Sequence, residues 1–328
     1  MTDPTPAPVL VVVDHHGDAP RSSAYELLTA GRALGPLEAV WIGTAPDAAV
    51  ERLGAWGVTR VHELPEAADL LPPERGEALA AVVEATGAAT VLLASTFENK
   101  ETAARLALAT GAGLMVDCAA LEAGPEGRPV AVQQAFAATW TLRAQATVPR
   151  VVAALKPNAV QAVAPEGVGA VSGRPEVVRH DVAPAQAPAA RLVERTPRAA
   201  SDRPDLGEAQ VVVVGGRGTN GDFSPVEDLA DALGGAVGAT RVATDEGWIG
   251  HEAQIGQTGV TISPRLYIGA GVSGAVHHRG GMQSSGTIVA VNSDPESPIF
   301  EIADFGVVGD LFTVLPQAAA EIRRVKQG

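Results

Sequence analysis

The sequence predicts an α/β protein of two domains, each built on a mainly parallel sheet flanked by helices. Three observations lead there. Short all-apolar, β-branched runs such as Val9–Val13 and Val211-Val212-Val213-Val214 alternate with stretches of helical apolar spacing, the pattern of strands covered on both faces by crossover helices. The 328 residues, 46% of them hydrophobic, are enough for two separate cores. Only 4% are aromatic, so small aliphatic side chains must fill those cores, which suits closely packed α/β layers.

The elements follow in order. Val9–Val13 reads as a buried strand ending at Asp14-His15-His16-Gly17-Asp18, and Ala24, Leu27, Leu28 and Gly31 mark a helix face. Val40-Trp41-Ile42-Gly43 is the next strand, 48–53 a helix, and 58–64 a strand running into a Pro-rich loop. A helix over 78–86 stops at Gly87, a strand covers 91–94, and a helix over 102–109 stops at Gly111. Beyond Met115-Val116-Asp117-Cys118 the pattern turns to β segments at 130–134, 139–146 and 151–155, expected to add antiparallel strands to the first sheet. Asp14, His15, His16 and Asp18 invite a metal site, but adjacent side chains at a strand end diverge, and a solvated loop is the expectation. Residues 183–200 are rich in Pro, Ala and Arg without helical or strand period, so a domain boundary is placed near 195–206.

The second half opens on four valines running into Gly215-Gly216-Arg217-Gly218, then the helical run Val226, Leu229, Ala230, Leu233. A glycine turn after a buried strand can bring backbone N–H groups to an anion, with Arg217 as a further phosphate contact. Glycine-framed polar loops follow at 238–241, 254–259, 269–278 and 289–295. Such strand-end loops gather at one edge of an open sheet, where ligands bind. Leu311, Val314, Leu315, Ala319 and Ile322 give a final helix its apolar stripe.

Five of these stretches resemble the large (α) subunit of electron transfer flavoproteins. They are Ser201-Asp202-Arg203-Pro204-Asp205-Leu206, Gly215-Gly216-Arg217-Gly218, Gly256-Gln257-Thr258-Gly259, the run 273–282 beginning Ser273-Gly274-Ala275-Val276-His277-His278, and 292–300 beginning Asn292-Ser293-Asp294-Pro295. The resemblance implies a nucleotide-hydrolase-like domain without cofactor over 1–195, a linker over 196–206, and an FAD-binding Rossmann-like domain over 207–328. It also implies which residues hold FAD. Arg217 and Ser273, Gly274, Ala275, Val276, His277 and His278 would grip the dinucleotide. Asn292 and Asp310 would meet the adenosine and ribitol end, their alternative roles being a strand-end turn and a helix cap. Thr240 would stand beside Arg241, an arginine held against the flavin. Thr258, in the same loop as Ile255, Gly256 and Gln257, would present a hydroxyl near flavin N5, and His278 would lie near the N1 and C2 carbonyl edge. A cation there stabilises negative charge on the reduced ring; arginine is always charged, histidine only when protonated. His277 stands where the family usually has glutamine, a tolerated polar exchange.

The same resemblance implies a heterodimer with a β subunit that carries AMP, electron donors such as acyl-CoA or other flavin dehydrogenases, and a membrane quinone reductase as acceptor. Alternatives are a bifurcating relative with a second FAD in the β subunit and NADH as donor, a redox-silent nucleotide-binding regulator, and an NAD-dependent oxidoreductase. The last is disfavoured because the third fingerprint glycine is missing, and Asp245 and Glu246 lie too far along to be the ribose acid. A net charge of −14 argues against nucleic-acid binding. One cysteine, Cys118, and a start without basic and apolar signal segments point to the cytoplasm, with no direct membrane insertion.

Overall fold

The computed structural model describes residues 7–136, 138–165, 173–182, 190, 192–194, 196 and 202–327. Two compact units separate, one of residues 1–133 and 141–197, the other of 134–140 and 198–328. The Pro-, Ala- and Arg-rich tract at 183–200 lies mostly outside the described residues.

Among the described residues, the first unit is organised by a nine-stranded sheet. Its strands are β1 (Val9–Val13), β4 (Leu37–Ile42), β5 (Val58–Leu64), β6 (Thr90–Ala94), β7 (Gly113–Ala123), β8 (Pro129–Ala135), β9 (Trp140–Gln145), β10 (Val151–Leu155) and β11 (Glu176–Arg179). The order is β11-β5-β4-β1-β6-β10-β7-β8-β9. Helices α1 (Ser22–Arg32), α2 (Asp47–Ala55), α3 (Pro72–Thr86) and α4 (Phe97–Thr110) connect them. Alternation along β1 explains the layers: Val9, Val11 and Val13 pack with α1 and α2, while Leu10 and Val12 pack with α3 and α4.

Three expectations are corrected here. The strand at 151–155 is not antiparallel: β10 lies parallel between β6 and β7, with Val151 opposite Thr90 and Gly113. Its five residues are all buried, and an uninterrupted apolar run is what a central parallel strand requires. The β7–β8 pairing is antiparallel as expected, and β9 lies beside β8 at the sheet edge. Pro72 and Pro73 are not loop residues but the first turn of α3, where a missing N–H costs nothing. The histidine segment is solvated as expected, residues 16–19 being exposed, but it is a short hairpin rather than a loop. His15–His16 (β2) pairs with Ala19–Pro20 (β3), and the His15 ring stacks on Trp41 at 4.0 Å with Nε2 3.0 Å from the Ile42 carbonyl.

The second unit carries an all-parallel five-stranded sheet of β12 (Val211–Gly215), β13 (Ala236–Ala239), β14 (Leu266–Ala270), β15 (Thr287–Asn292) and β16 (Phe305–Val308), ordered β13-β12-β14-β15-β16. Helices α5 (Ser224–Leu233), α6 (Arg241–Asp245), α7 (Val276–Met282) and α8 (Leu311–Gln327) complete it. Leu229, Ala230, Leu311, Leu315 and Ala319 close one face of the sheet. Tyr267, Ile255, Met282 and Ile299 close the other. No helix among the described residues is long and apolar enough to cross a membrane.

Candidate cofactor site

The carboxyl ends of β12, β14 and β15 open onto a cavity of about 570 Å³, at the sheet edge where parallel α/β folds hold ligands. Of the residues singled out from the sequence, Arg217, Thr240, Arg241, Ile255, Gly256, Gln257, Thr258, Ser273, Gly274, Ala275, His277, His278, Asn292 and Asp310 all line it. Val276 does not. It begins α7 and is 66% exposed, off the cavity wall.

The glycine turn after β12 works differently from expectation. Gly216 N–H donates to the Ala270 carbonyl at 3.1 Å and Gly218 N–H to the Gly271 carbonyl at 3.0 Å, so these donors are not available to an anion. The glycines are there for contact: a Cβ on Gly216 would stand 2.3 Å from the Gly271 oxygen, and one on Gly218 2.7 Å from the Gly271 Cα. The turn therefore clamps the β12 and β14 loops together. Arg217, carried at its tip, is exposed and has no carboxylate partner among the described residues.

Anion-binding capacity lies instead in the loop from β14 into α7. The N–H groups of Ser273, Gly274, Ala275, Val276 and His277 have no protein acceptor among the described residues, the first backbone donors of the helix being His278 and Arg279, both to the Ala275 carbonyl. Gly274, at φ +80°, makes the bend, and a Cβ there would lie 2.6 Å from the Ile299 nitrogen. Successive unpaired N–H groups around such a bend form a concave donor surface that suits phosphate oxygens.

Arg241 follows Thr240, which precedes α6, and pairs through Nε with Asp245 at 3.2 Å while remaining 66% exposed. A buried relay supports the facing loop. Thr244 Oγ1 lies 3.0 Å from Gln254 Oε1 and 2.9 Å from the Arg241 carbonyl, and Gln254 Nε2 donates to Thr258 Oγ1 at 3.0 Å. Thr258, having accepted that bond, keeps its own hydroxyl proton to donate. Gln254 itself lines the cavity and was missed in the sequence, although it opens the quoted 254–259 loop. Asn220 was missed too; the Asn220-Gly221 pair is a turn signal, and Asn220 adopts φ +47°.

Asn292 and Asp310 make the contacts of their alternative roles. Asn292 Nδ2 donates to the Val272 carbonyl and Ser297 Oγ, and its Oδ1 accepts from Asp294 N–H at 3.0 Å. Asp310 caps α8 through Phe312 N–H at 3.2 Å. His277 Nδ1 lies 2.9 Å from Gln257 Oε1, and Gln257 N–H donates to the His277 carbonyl at 3.0 Å.

His278 departs most from expectation. It is only 6% exposed, with Nδ1 3.1 Å from the Ile255 carbonyl and Nε2 2.8 Å from Tyr267 Oη. Burial pushes its pKa down to about 4, the Ile255 bond opposing only in part. Near neutral pH it is therefore an uncharged imidazole, and the positive charge of the cavity wall rests on Arg217 and Arg241.

Sheet, loops and donor set define a nucleotide-cofactor protein of the parallel α/β class. A family profile described as "Electron transfer flavoprotein FAD-binding domain" matches residues 205–283, and one described as "Electron transfer flavoprotein domain" matches 9–185. The chain is 45% identical over 327 residues to the electron transfer flavoprotein subunit alpha of Mycobacterium leprae, covering 98% of this chain and 99% of that one. It is 35% identical over 311 residues to the same subunit of Syntrophomonas wolfei (93% and 95% covered) and 33% identical over 318 residues to that of Bacillus subtilis (93% and 94%). The chain belongs to the electron transfer flavoprotein family, as an alpha subunit, an FAD-binding electron carrier and not a catalytic enzyme.

Proposed function

We propose that this chain, joined to a β subunit that carries AMP, holds one FAD in the cavity of its second unit and works in the cytoplasm. It would take electrons from acyl-CoA or other flavin dehydrogenases and pass them to a membrane quinone reductase. The observation that carries the reading is the row of five N–H groups at 273–277 without an acceptor among the described residues, on a cavity that also presents two arginines. The residues fit the cofactor: a diphosphate needs such donors, and Val242, Val272, Val291 and Leu311 supply apolar wall for flat rings. FAD, when bound, supplies the capacity to accept and release electrons one at a time. The protein's part is to bind and tune. The 273–277 loop and Arg217 would hold the diphosphate, Thr258 would offer a hydroxyl proton, and Arg241 would place a permanent cation on the wall, which would favour the reduced, more negative cofactor.

The test is an absorption spectrum of the chain purified with its β partner, then anaerobic reductive titration. Bound flavin reduced in two separated one-electron steps supports the reading. Failure to bind added FAD overturns it, and two flavins per heterodimer reduced by NADH alone would move it to the bifurcating relative. In the same titration Arg241→Ala is expected to lower the first potential by on the order of 60 mV, the one-electron equivalent of a tenfold change. An unchanged potential would remove Arg241 from the tuning role.

A second prediction isolates the loop. Ala275 has φ −56°, which proline matches, and its N–H has no acceptor among the described residues. Ala275→Pro should therefore leave the melting temperature in place while raising the FAD dissociation constant roughly 10- to 100-fold, the equivalent of about 1.5–3 kcal/mol for a hydrogen bond to a charged group. Val276→Ala, which changes a side chain off the cavity wall and keeps the N–H, is the control. Because Val276 lies off the cavity wall, that variant should keep FAD. Equal affinity in all three proteins, read by flavin fluorescence, would show that the loop does not hold the diphosphate.

A further inference from the structure

Tyr267 lies in β14 with no exposed surface. Its phenol runs along the strand over Gly269, where a Cβ would stand 2.8 Å from Cε1 and 2.9 Å from the hydroxyl oxygen. That hydroxyl has one polar neighbour among the described residues, His278 Nε2 at 2.8 Å. The other ring nitrogen, Nδ1, faces the Ile255 carbonyl at 3.1 Å. A carbonyl only accepts, so Nδ1 carries the proton, Nε2 presents its lone pair, and the phenol donates to it. A second proton on the ring would make Nε2 a donor as well. The buried phenol proton would then have nowhere to go, since a lost acceptor in a dry site costs its full desolvation penalty.

We propose that Tyr267 is a positioning residue of the cofactor site: its hydroxyl holds His278 as the neutral, Nδ1-protonated imidazole and fixes the orientation of that ring at the cavity wall. The idea rests on the FAD reading only for its consequence. Burial pushes the phenol's own pKa up, which keeps it a donor, and pushes the His278 ring down, in the same sense as the hydrogen bond. The surrounding charges do not account for the effect. Against the ring stand Tyr267 on β14 and the uncharged Ile255 of the facing loop. On α7 itself stand His277 and Arg279, the latter paired with Glu301 at 2.8 Å. The remaining charged groups of the wall are Arg217, Arg241, Asp294 and Asp310, two of each sign. A fixed neutral imidazole adds a dipole to the site where a cation would add a charge that varied with pH. The flavin environment is thereby insulated from proton uptake at this position.

The experiment is ¹⁵N NMR of histidine-labelled full-length chain, with the His278 signals assigned by their loss in His278→Gln, compared between wild type and Tyr267→Phe from pH 5 to 8. The expected wild-type ring stays Nδ1-protonated and does not titrate. In Tyr267→Phe the ring, still buried, should populate both tautomers, with its Nε2 signal shifted accordingly. Identical His278 spectra in the two proteins would overturn the proposal. Should the Phe variant not fold, the wild-type spectrum alone decides, because an Nε2-protonated or titrating ring contradicts it. The nitrogen shifts are read with or without FAD. A chain that binds no FAD therefore defeats the proposed function and leaves the Tyr267–His278 result standing, whereas a flavin-loaded chain with unchanged spectra defeats only this proposal.

Discussion

Acidification from pH 6.5 to 4 is expected to remove about 3 kcal/mol of stability from the second unit through His278 alone. The ring titrates near 6.5 in an unfolded chain and is pushed down to about 4 by burial in the fold. Between those values the unfolded state binds more protons, so stability rises with pH. The contribution is complete above the unfolded value and is lost progressively as pH falls toward the folded one. At roughly 1.36 kcal/mol per pH unit the difference comes to the stated figure. Urea titrations across this range should show it as a slope, and His278→Gln, which has no proton to take up, should flatten that slope. Parallel profiles for the two proteins would place the acid sensitivity elsewhere.

The other large effect belongs to the crossing of two glycine loops. Gly271 adopts φ +61°, and a Cβ there would lie 2.7 Å from the Gly218 Cα and 2.9 Å from a Leu311 methyl. Valine is expected to cost about 1–2 kcal/mol for the left-handed backbone and a further 1–3 kcal/mol for overpacking. A sum of roughly 3 kcal/mol should lower the melting transition of this unit by on the order of 10 °C. Since Gly218 and Gly271 both line the cavity, FAD affinity should fall together with stability, as calorimetry with and without added flavin would show. A variant that melted normally would mean that the loops separate freely, contrary to their hydrogen bonds through Gly216 and Gly218.

Much of this was legible in the chain itself. The valine runs of β1 and β12, the left-handed stop at Gly87 and the helix over 311–327 follow from local pattern, because burial on both faces and helix termination are decided by a few neighbouring residues. The residues of the cavity wall were legible as well, since strand-end loops of a parallel sheet have only one edge on which to meet. What each residue does was less so. Gly216 and Gly218 read as an anion cradle, but whether a glycine frees an N–H or admits another backbone depends on a loop some fifty residues away, an interval seen in their contact with Gly271. His278 read as a possible cation, and nothing local to it reveals that Tyr267 and Ile255 close over both nitrogens. Val151–Leu155 read as antiparallel because it follows β8 and β9 in sequence, whereas its wholly apolar composition already argued for the middle of a parallel sheet.

That placement of β10 sets the order in which the molecule can be made. During synthesis β6 and β7 leave the ribosome well before the strand that separates them. Until Leu155 has emerged, each presents an open edge to a gap that neither can fill, and pairing them directly would trap the sheet one strand short. The nascent first unit thus waits on a late, long-range insertion, the kind of step that slows folding and lengthens exposure to aggregation. At the opposite margin β11 must still arrive to cover β5. Premature termination between residues 123 and 151 therefore yields a chain with five or more of that sheet's nine strands and no completed sheet, a product that quality control has reason to destroy.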